Sequence, residues 1–340
     1  MSGAPEFHDL VPATPANPRS GEGDMVLLED GRIFFAYTSF QAAGDDARAS
    51  IVSRCSGDGG RTWTDPETLI ADEARQNVMS VSLLRLQSGA ILLFYMRKDS
   101  PTRGAMWCRR SDDEALTWGD AVCCTPAPLY QGAVNDCALQ LADGRVLLPY
   151  EACEEVWVED EHILAGTAVS DDDGATWRQS NLIFAPHRGA MEPRVVELPG
   201  GRLRMLMRTD RGVIDESYSE DRGETWSDPA SSGIESPQSP FVLKRLPATG
   251  DLLLIRNPIA NLTQGTHQGY RTPLRSAISA DQGATWVHER DLEPDTTHTY
   301  CYVSASFVDD MVLLSYYVGR PEAPLECLRV ARVPLTWFYA

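Results

Sequence analysis

Residues 170 to 177 read SDDDGATW, and the chain nearly repeats them at Ser56–Trp63, Ser111–Trp118, Ser219–Trp226 and Ser279–Trp286. All five fit S-x-D-x-G-x-T-W, with Ala115 in place of the glycine in the second copy. Five returns of a pattern with five defined positions mark a repeat architecture, each copy being one supersecondary unit that needs its neighbours to bury its apolar face. The residue types specify a turn. Asp accepts backbone N–H bonds, Gly supplies a positive φ, Ser and Thr bond locally, and Trp buries a large ring between adjacent units. Equivalent copies spread around a repeat cannot all face one substrate, so the motif reads as scaffold.

Between the copies lies a second recurrence. MVLLEDGRIFFAY (25 to 37), SLLRLQSGAILLFY (82 to 95), ALQLADGRVLLPY (138 to 150), RVVELPGGRLRMLM (194 to 207), VLKRLPATGDLLLI (242 to 255) and ASFVDDMVLLSYY (305 to 317) each place two apolar runs around a tight polar turn. These predict six β-hairpins. Each of the first five is followed by a short strand and then the S-x-D-x-G-x-T-W turn. Six units of about four strands describe an all-β, six-bladed β-propeller, a single domain over residues 1–340. The sixth unit lacks the turn, so the N-terminal segment is expected to supply its outer strand and close the ring with the C-terminal segment. No helical periodicity of any length and no interdomain linker is visible.

Composition narrows the partners. The 340 residues carry 49 acidic and 30 basic side chains, a formal charge of −19, which should repel nucleic acid and anionic membranes. The opening residues MSGAPEFHDLVPATPANPRSGEGD lack a basic segment followed by an apolar run, and no stretch reaches membrane-spanning length. The expectation is a cytoplasmic protein without a membrane partner. Eight cysteines show no metal-binding spacing and read as reduced thiols, many on strands; neither a metal nor a cofactor is expected.

In a four-stranded unit, the hairpin turns and the S-x-D-x-G-x-T-W turns share one face, so a site should draw on the opposite one. That filter collects Arg19, Glu22, Asp24, Asn77, Asn135, Asp136, Glu192, Arg194, Gln238, Tyr300 and Tyr302 from innermost-strand starts. From the following strand ends and loops it collects Asp45, Asp46, Arg48, Arg97, Lys98, Asp99, Glu151, Arg208, Asp210, Arg256, His267 and Arg271. Arginines gathered in an acidic protein suggest bidentate recognition of a carboxylate. His187, His267 and His298 have no paired spacing and read as polar loop residues, and the tyrosines of LLSYY read as core and rim.

On these motifs the chain resembles the sialidase (neuraminidase) superfamily, whose six-bladed propellers carry this turn as the Asp box. The resemblance implies a tyrosine nucleophile with an assisting glutamate, an aspartate acid/base and three arginines clamping the substrate carboxylate. MEPRVVELPGGRLRMLMRTD is similar to the segment bearing the glutamate and one clamp arginine, which implies Glu192 and Arg208. NPIANLTQGTHQGYRTPLRSAIS implies Arg271 as a second clamp. TYCYVSASFVDDMVLLSYY implies Tyr302 as nucleophile, with Tyr300 in reserve, and GDDARASIVSRCSGDGG implies Asp45 as acid/base, with Asp46 beside it. The family's R-I-P start is replaced by PRSGEGD; Arg19 fits after a shift of about two residues, and Arg194 is a further cation that could substitute.

The implied function is a retaining, sialidase-like exo-glycosidase that removes a terminal acidic sugar, with a carbohydrate partner and Arg208, Arg271, Arg194, Arg19, Asp46, Glu22, Asp24, Arg97, Asn135 and Asp136 around the substrate. Two alternatives stand beside it. One is a propeller hydrolase or lyase for another sugar, a uronic acid or deoxy sugar, with Glu22, Asp24, Asp136 and Glu192 as its acidic groups. The other is a non-catalytic carbohydrate-binding propeller.

Overall fold

The apolar runs form strands buried along most of their length. Ile91–Ser100 opens with six buried residues and Leu252–Arg256 is buried throughout. A strand covered on both faces reads as a continuous apolar stretch, whereas one with a solvated face alternates. The computed structural model describes residues 3–259 and 271–340. Among these the secondary structure is all-β except for one 3-10 segment, Leu335–Tyr339, and no helix is long and apolar enough to cross a membrane.

All six hairpins form, each with its two strands antiparallel: Arg19–Leu27 with Ile33–Phe40, Asn77–Arg85 with Ile91–Ser100, Leu139–Gln140 with Val146–Cys153, Met191–Glu197 with Leu203–Arg208, Val242–Arg245 with Leu252–Arg256, and Thr299–Val308 with Met311–Arg320. The first, fourth and fifth hairpins each gain two further strands to make four-stranded sheets. The second and third are joined into one ten-stranded sheet, because Tyr130–Gly132 pairs in parallel with Arg103–Ser111 and antiparallel with Val146–Cys153. In the last sheet the strand after the hairpin, Ala323–Pro334, takes Glu6–Val11 as its outer neighbour, with Phe7 opposite Ala331. The innermost strand Arg19–Leu27 packs against both Asn77–Arg85 and Thr299–Val308, and Val242–Arg245 packs against Met191–Glu197 and Thr299–Val308.

The recurring turns are built alike. In SDDDGATW, Ser170 Oγ donates to Asp172 Oδ1 and accepts Gly174 N–H, while Asp172 accepts Thr176 N–H and the Thr176 hydroxyl. Trp177 Nε1 closes the turn on Gly174 O at 2.9 Å. Gly174, Gly223 and Gly60 hold φ near 85–89°, and a Cβ there would meet Leu92, Leu147 or Leu313, each on the second strand of another hairpin. Glycine thus serves both the left-handed conformation and the close approach. Ala115 takes the same role at φ 62° and packs in the cluster that contains Phe34 and Tyr95. Tryptophans of the turns reach across to other hairpin units: Trp177 meets Phe94 edge-on at 5.7 Å, and Trp118 meets Phe34 at 6.1 Å. Trp226 is buried and the other four are half-buried.

Candidate active site

At the centre the strands depart from regular pairing in a repeated way. Register shifts fall between Gly21 and Asp24, Met79 and Ser82, Met191 and Arg194, and Cys301 and Ser304. Inside each lies a non-glycine residue at positive φ: Glu22 (51°), Ser80 (58°), Glu192 (44°) and Tyr302 (56°). Asp136, just before Leu139–Gln140, has φ 54°. A bulge adds one residue and re-aims its side chain, at a cost of about 1–3 kcal/mol for each left-handed non-glycine residue. Four strands accept that cost at one depth. Glu22, Ser80, Glu192 and Tyr302 line a single cavity, which also takes in Asp45, Lys98 and Arg208.

Tyr302 Oη donates to Glu192 Oε1 at 2.9 Å. The other carboxylate oxygen of Glu192 lies 2.8 Å from Arg208 Nη1 as an ion pair. Arg271 does not line the cavity surface but stands behind Tyr302, its guanidinium carbon 5.7 Å from the ring centre, with Nη1 donating to Cys301 Sγ at 3.1 Å. Both arginines are 2% exposed. Nε and Nη2 of Arg208 and Nη2 of Arg271 have no hydrogen-bond partner among the described residues. Buried cationic donors without acceptors are costly, so the pair is a standing demand for an anion.

Burial, and then the charge of Glu192, hold the Tyr302 phenol well above its ordinary value, against the pull of Arg208 and Arg271. The phenol therefore rests protonated, with its proton directed at a carboxylate. Glu151 lines the same cavity and its Oε2 accepts Glu192 N–H at 2.8 Å. Burial and the neighbouring Glu192 charge push Glu151 up to about 7.

Arg19 is spent differently. Its Nε donates to Tyr317 Oη (3.0 Å), Nη1 to Asp45 Oδ1 (2.5 Å) and Ala43 O (3.2 Å), and Nη2 to Glu22 Oε1 (2.6 Å). The guanidinium also lies 4.0 Å from the Phe40 ring centre. One cation thereby holds two carboxylates, and burial raises the Glu22 carboxyl above its usual range.

Several residues of the sequence-based set lie elsewhere. Asp24 accepts Met25 N–H and Leu83 N–H, tying two innermost strands together. Asp136 accepts Ala305 N–H and is ion-paired with Lys244, while Arg194 donates to Asp136 O. Asn135 bridges Gly23 O and Tyr302 O. Arg97 pairs with Glu73 and stacks on Trp107 at 4.0 Å, and Asp46 is exposed and does not line the cavity. Tyr300 is buried, with its hydroxyl on Asp295 O. Asp24, Arg194 and Tyr300 each stand two positions from a bulged residue, where the extra residue breaks the alternation of the strand. His187 is exposed, His298 bonds to Asp295, and His267 lies outside the described residues.

Sequence reasoning assigned Tyr317 to the core, and it is fully buried, yet its hydroxyl reaches Arg19. Lys98 and Glu151 belong to the expected polar face but were left out of the substrate set; both line the cavity. Lys98 is buried, donates to Asp45 O at 3.0 Å and sits 4.8 Å from the Trp157 ring centre. Their signal was position at a strand end alone. Among the described residues, no group of three or more His, Cys, Asp or Glu side chains could hold a metal ion.

Known proteins resemble this chain in sequence and in fold. A sialidase from Bacteroides fragilis is 27% identical over 215 residues, covering 59% of this chain and 37% of that protein. A sialidase from Micromonospora viridifaciens is 25% identical over 326 residues, covering 84% of this chain and 46% of that protein. The chain thus spans less than half the length of these relatives. A protein of unknown function from Dyadobacter fermentans has a similar fold, with a TM-score of 0.78 at 20% identity over 98% of this chain and 99% of that one. The BNR repeat-like domain matches residues 71–313, well over half of the sequence, and the chain therefore belongs to this BNR-repeat family of the sialidase superfamily.

Proposed function

We propose that residues 1–340 form one six-bladed, sialidase-type propeller and that the chain is a retaining exo-glycosidase for a terminal acidic sugar. The observation that carries the reading is the contiguous set Tyr302, Glu192 and Arg208, with unpaired guanidinium N–H groups on Arg208 and, behind Tyr302, on Arg271. A carboxylate on or near the reacting carbon would repel an Asp or Glu nucleophile, whereas a neutral phenol is not repelled. Arg208 and Arg271 hold the substrate carboxylate through forked hydrogen bonds. Tyr302 Oη attacks the reacting carbon while its proton passes to Glu192, and Asp45 gives a proton to the departing oxygen as the glycosidic bond breaks. In the second half, Asp45 takes a proton from water, which attacks the same carbon, and the Tyr302 oxygen leaves and recovers its proton from Glu192. Arg19 fixes the Asp45 carboxyl at the edge of the cavity.

One observation favours a second reading, a hydrolase or lyase for a uronic acid or another non-sialic sugar. The Arg19 guanidinium is occupied by Glu22, Asp45 and Tyr317, so it offers a substrate carboxylate less than Arg208 and Arg271 do.

A panel of fluorogenic sialosides and uronides, assayed with wild type, Tyr302→Phe and Glu192→Gln, tests both. Turnover of a sialoside that depends on both residues supports the first reading. Turnover of a uronide alone moves the assignment to the second, and no turnover of any member leaves carbohydrate binding as the function.

A further inference from the structure

Glu22 is the one carboxylate at the bulge positions that the proposed reaction leaves unused. It is 2% exposed, lines the cavity with Tyr302 and Asp45, and is held in the left-handed region at φ 51°. Oε1 accepts from Arg19 Nη2 at 2.6 Å, and Oε2 accepts from Ser80 Oγ at 2.7 Å; Tyr317 Oη lies 3.5 Å from Oε1. A carboxylate has about four acceptor positions, so capacity remains toward the cavity. Through Arg19, Glu22 is fixed relative to Asp45, and the bulge aims it as its counterpart aims Tyr302. It therefore lines the same cavity as the nucleophile and the proton donor. In a glycoside, the hydroxyl nearest to the reacting carbon is the one on the adjacent ring carbon.

Resting on the glycosidase reading, we infer that Glu22 is a specificity determinant that accepts a hydrogen bond from a hydroxyl on the ring carbon adjacent to the reacting carbon. The substrate class is then an acidic sugar hydroxylated at that carbon, as uronic acids are, in preference to one with a methylene there, as in sialic acid. A hydrogen bond at this hydroxyl strengthens as the reacting carbon becomes positive. A buried carboxylate facing a methylene would gain no partner. Glu22 also keeps the Arg19 guanidinium turned to protein, leaving the substrate carboxylate to Arg208 and Arg271.

The test compares an aryl uronide with its 2-deoxy counterpart and an aryl sialoside, using wild type and Glu22→Gln, with thermal unfolding to confirm that both are folded. The expected result is a wild-type kcat/KM that favours the hydroxylated uronide. Glu22→Gln should lower that value about 10- to 100-fold, the worth of a hydrogen bond to a charged group, with a smaller fall on the two deoxy substrates. An equal fall on all three substrates, or a wild-type preference for the deoxy member, overturns the inference and leaves the glycosidase reading in place. If no glycoside is turned over, the catalytic reading fails, and calorimetry with free glucuronic acid and 2-deoxyglucuronic acid still decides Glu22. Equal affinities for the two acids in wild type overturn the inference; tighter binding of the hydroxylated acid that Glu22→Gln removes upholds it.

Discussion

The outer turns and the central bulges are both repeated features, but they repeat different things. At the turns, residue type and geometry return together: Ser56, Ser111, Ser170, Ser219 and Ser279 each donate to the aspartate two positions on. At the centre only the geometry returns. Glu22, Ser80, Glu192 and Tyr302 share a left-handed conformation inside a register shift, yet they are an acid, an alcohol, a second acid and a phenol. A turn closes its own bonds, so the same residues solve the problem each time. A bulge at the cavity points toward a shared space, where different groups can meet. Like residues with local partners therefore indicate scaffold, and a recurring distortion with varied residues indicates a site.

The largest expected effect breaks the centre and spares the turns. Tyr302→Phe removes one oxygen and should lower turnover of the best glycoside by about a thousandfold or more, while Glu192→Gln should cost about 10²–10⁴-fold, the range of a positioned proton acceptor. Thermal unfolding should shift little in either. Wild-type turnover in both variants would remove Tyr302 and Glu192 from the mechanism. Next, Arg271→Ala should raise KM about 10- to 100-fold for an acidic substrate, since a hydrogen bond to a charged group is worth about 1.5–3 kcal/mol, and should change a neutral glycoside much less. Equal effects on both would mean that Arg271 only supports Tyr302.

The turns should show the converse. Gly223→Ala places a Cβ at φ 88° with Leu147 at 3.1 Å, and should cost about 1–3 kcal/mol in urea unfolding without altering kcat/KM. A change in kinetics greater than the change in stability would show that the turn face and the centre are coupled.

Glu151 sharpens the comparison through pH. Its carboxyl is raised to about 7, so its contribution to stability is present in full below the ordinary glutamate value and is lost as pH rises through 7. Wild type should therefore lose stability relative to Glu151→Gln between about pH 5 and pH 8, as followed by denaturant midpoints; parallel profiles would show that Glu151 does not titrate in this window. The smallest effect is at the imperfect turn. Ala115→Gly replaces a left-handed alanine (φ 62°) and should stabilise the chain by about 0.5–1 kcal/mol, with unchanged kinetics. Destabilisation would mean that the Ala115 methyl contributes more in its apolar cluster than its backbone conformation costs.

Much of the scaffold was legible in the sequence because its determinants are local. Ser, Asp, Gly, Thr and Trp at fixed offsets specify a turn whose bonds close within eight residues, and apolar runs around DGR or PGG specify hairpins whatever surrounds them. The site was legible only in part, and the bulge is the reason. An extra residue inserted near Glu22 displaces the start of Arg19–Leu27 relative to a regular strand, so counting along the sequence misplaces the residues before it. The same distortion, absent from any local signal, sets Tyr302 toward the cavity and Tyr300 toward Asp295. Likewise, the sequence placed Asp24, Asp136 and Arg194 on the right face, but it could not show that backbone N–H groups and Lys244 would occupy the two aspartates or that Arg194 would donate to the Asp136 carbonyl.

The sequence by itself determined the all-β class, the six hairpins and the five recurring turns, since each follows from bonds between residues close in the chain. Only the tertiary structure decided which polar side chains meet. Tyr302 and Glu192 are 110 residues apart in sequence and 2.9 Å apart in space, and Arg19 reaches Tyr317 across 298 residues. Whether an arginine is open to a substrate or already occupied depends on these long-range partners, and packing around the centre is what supplies them.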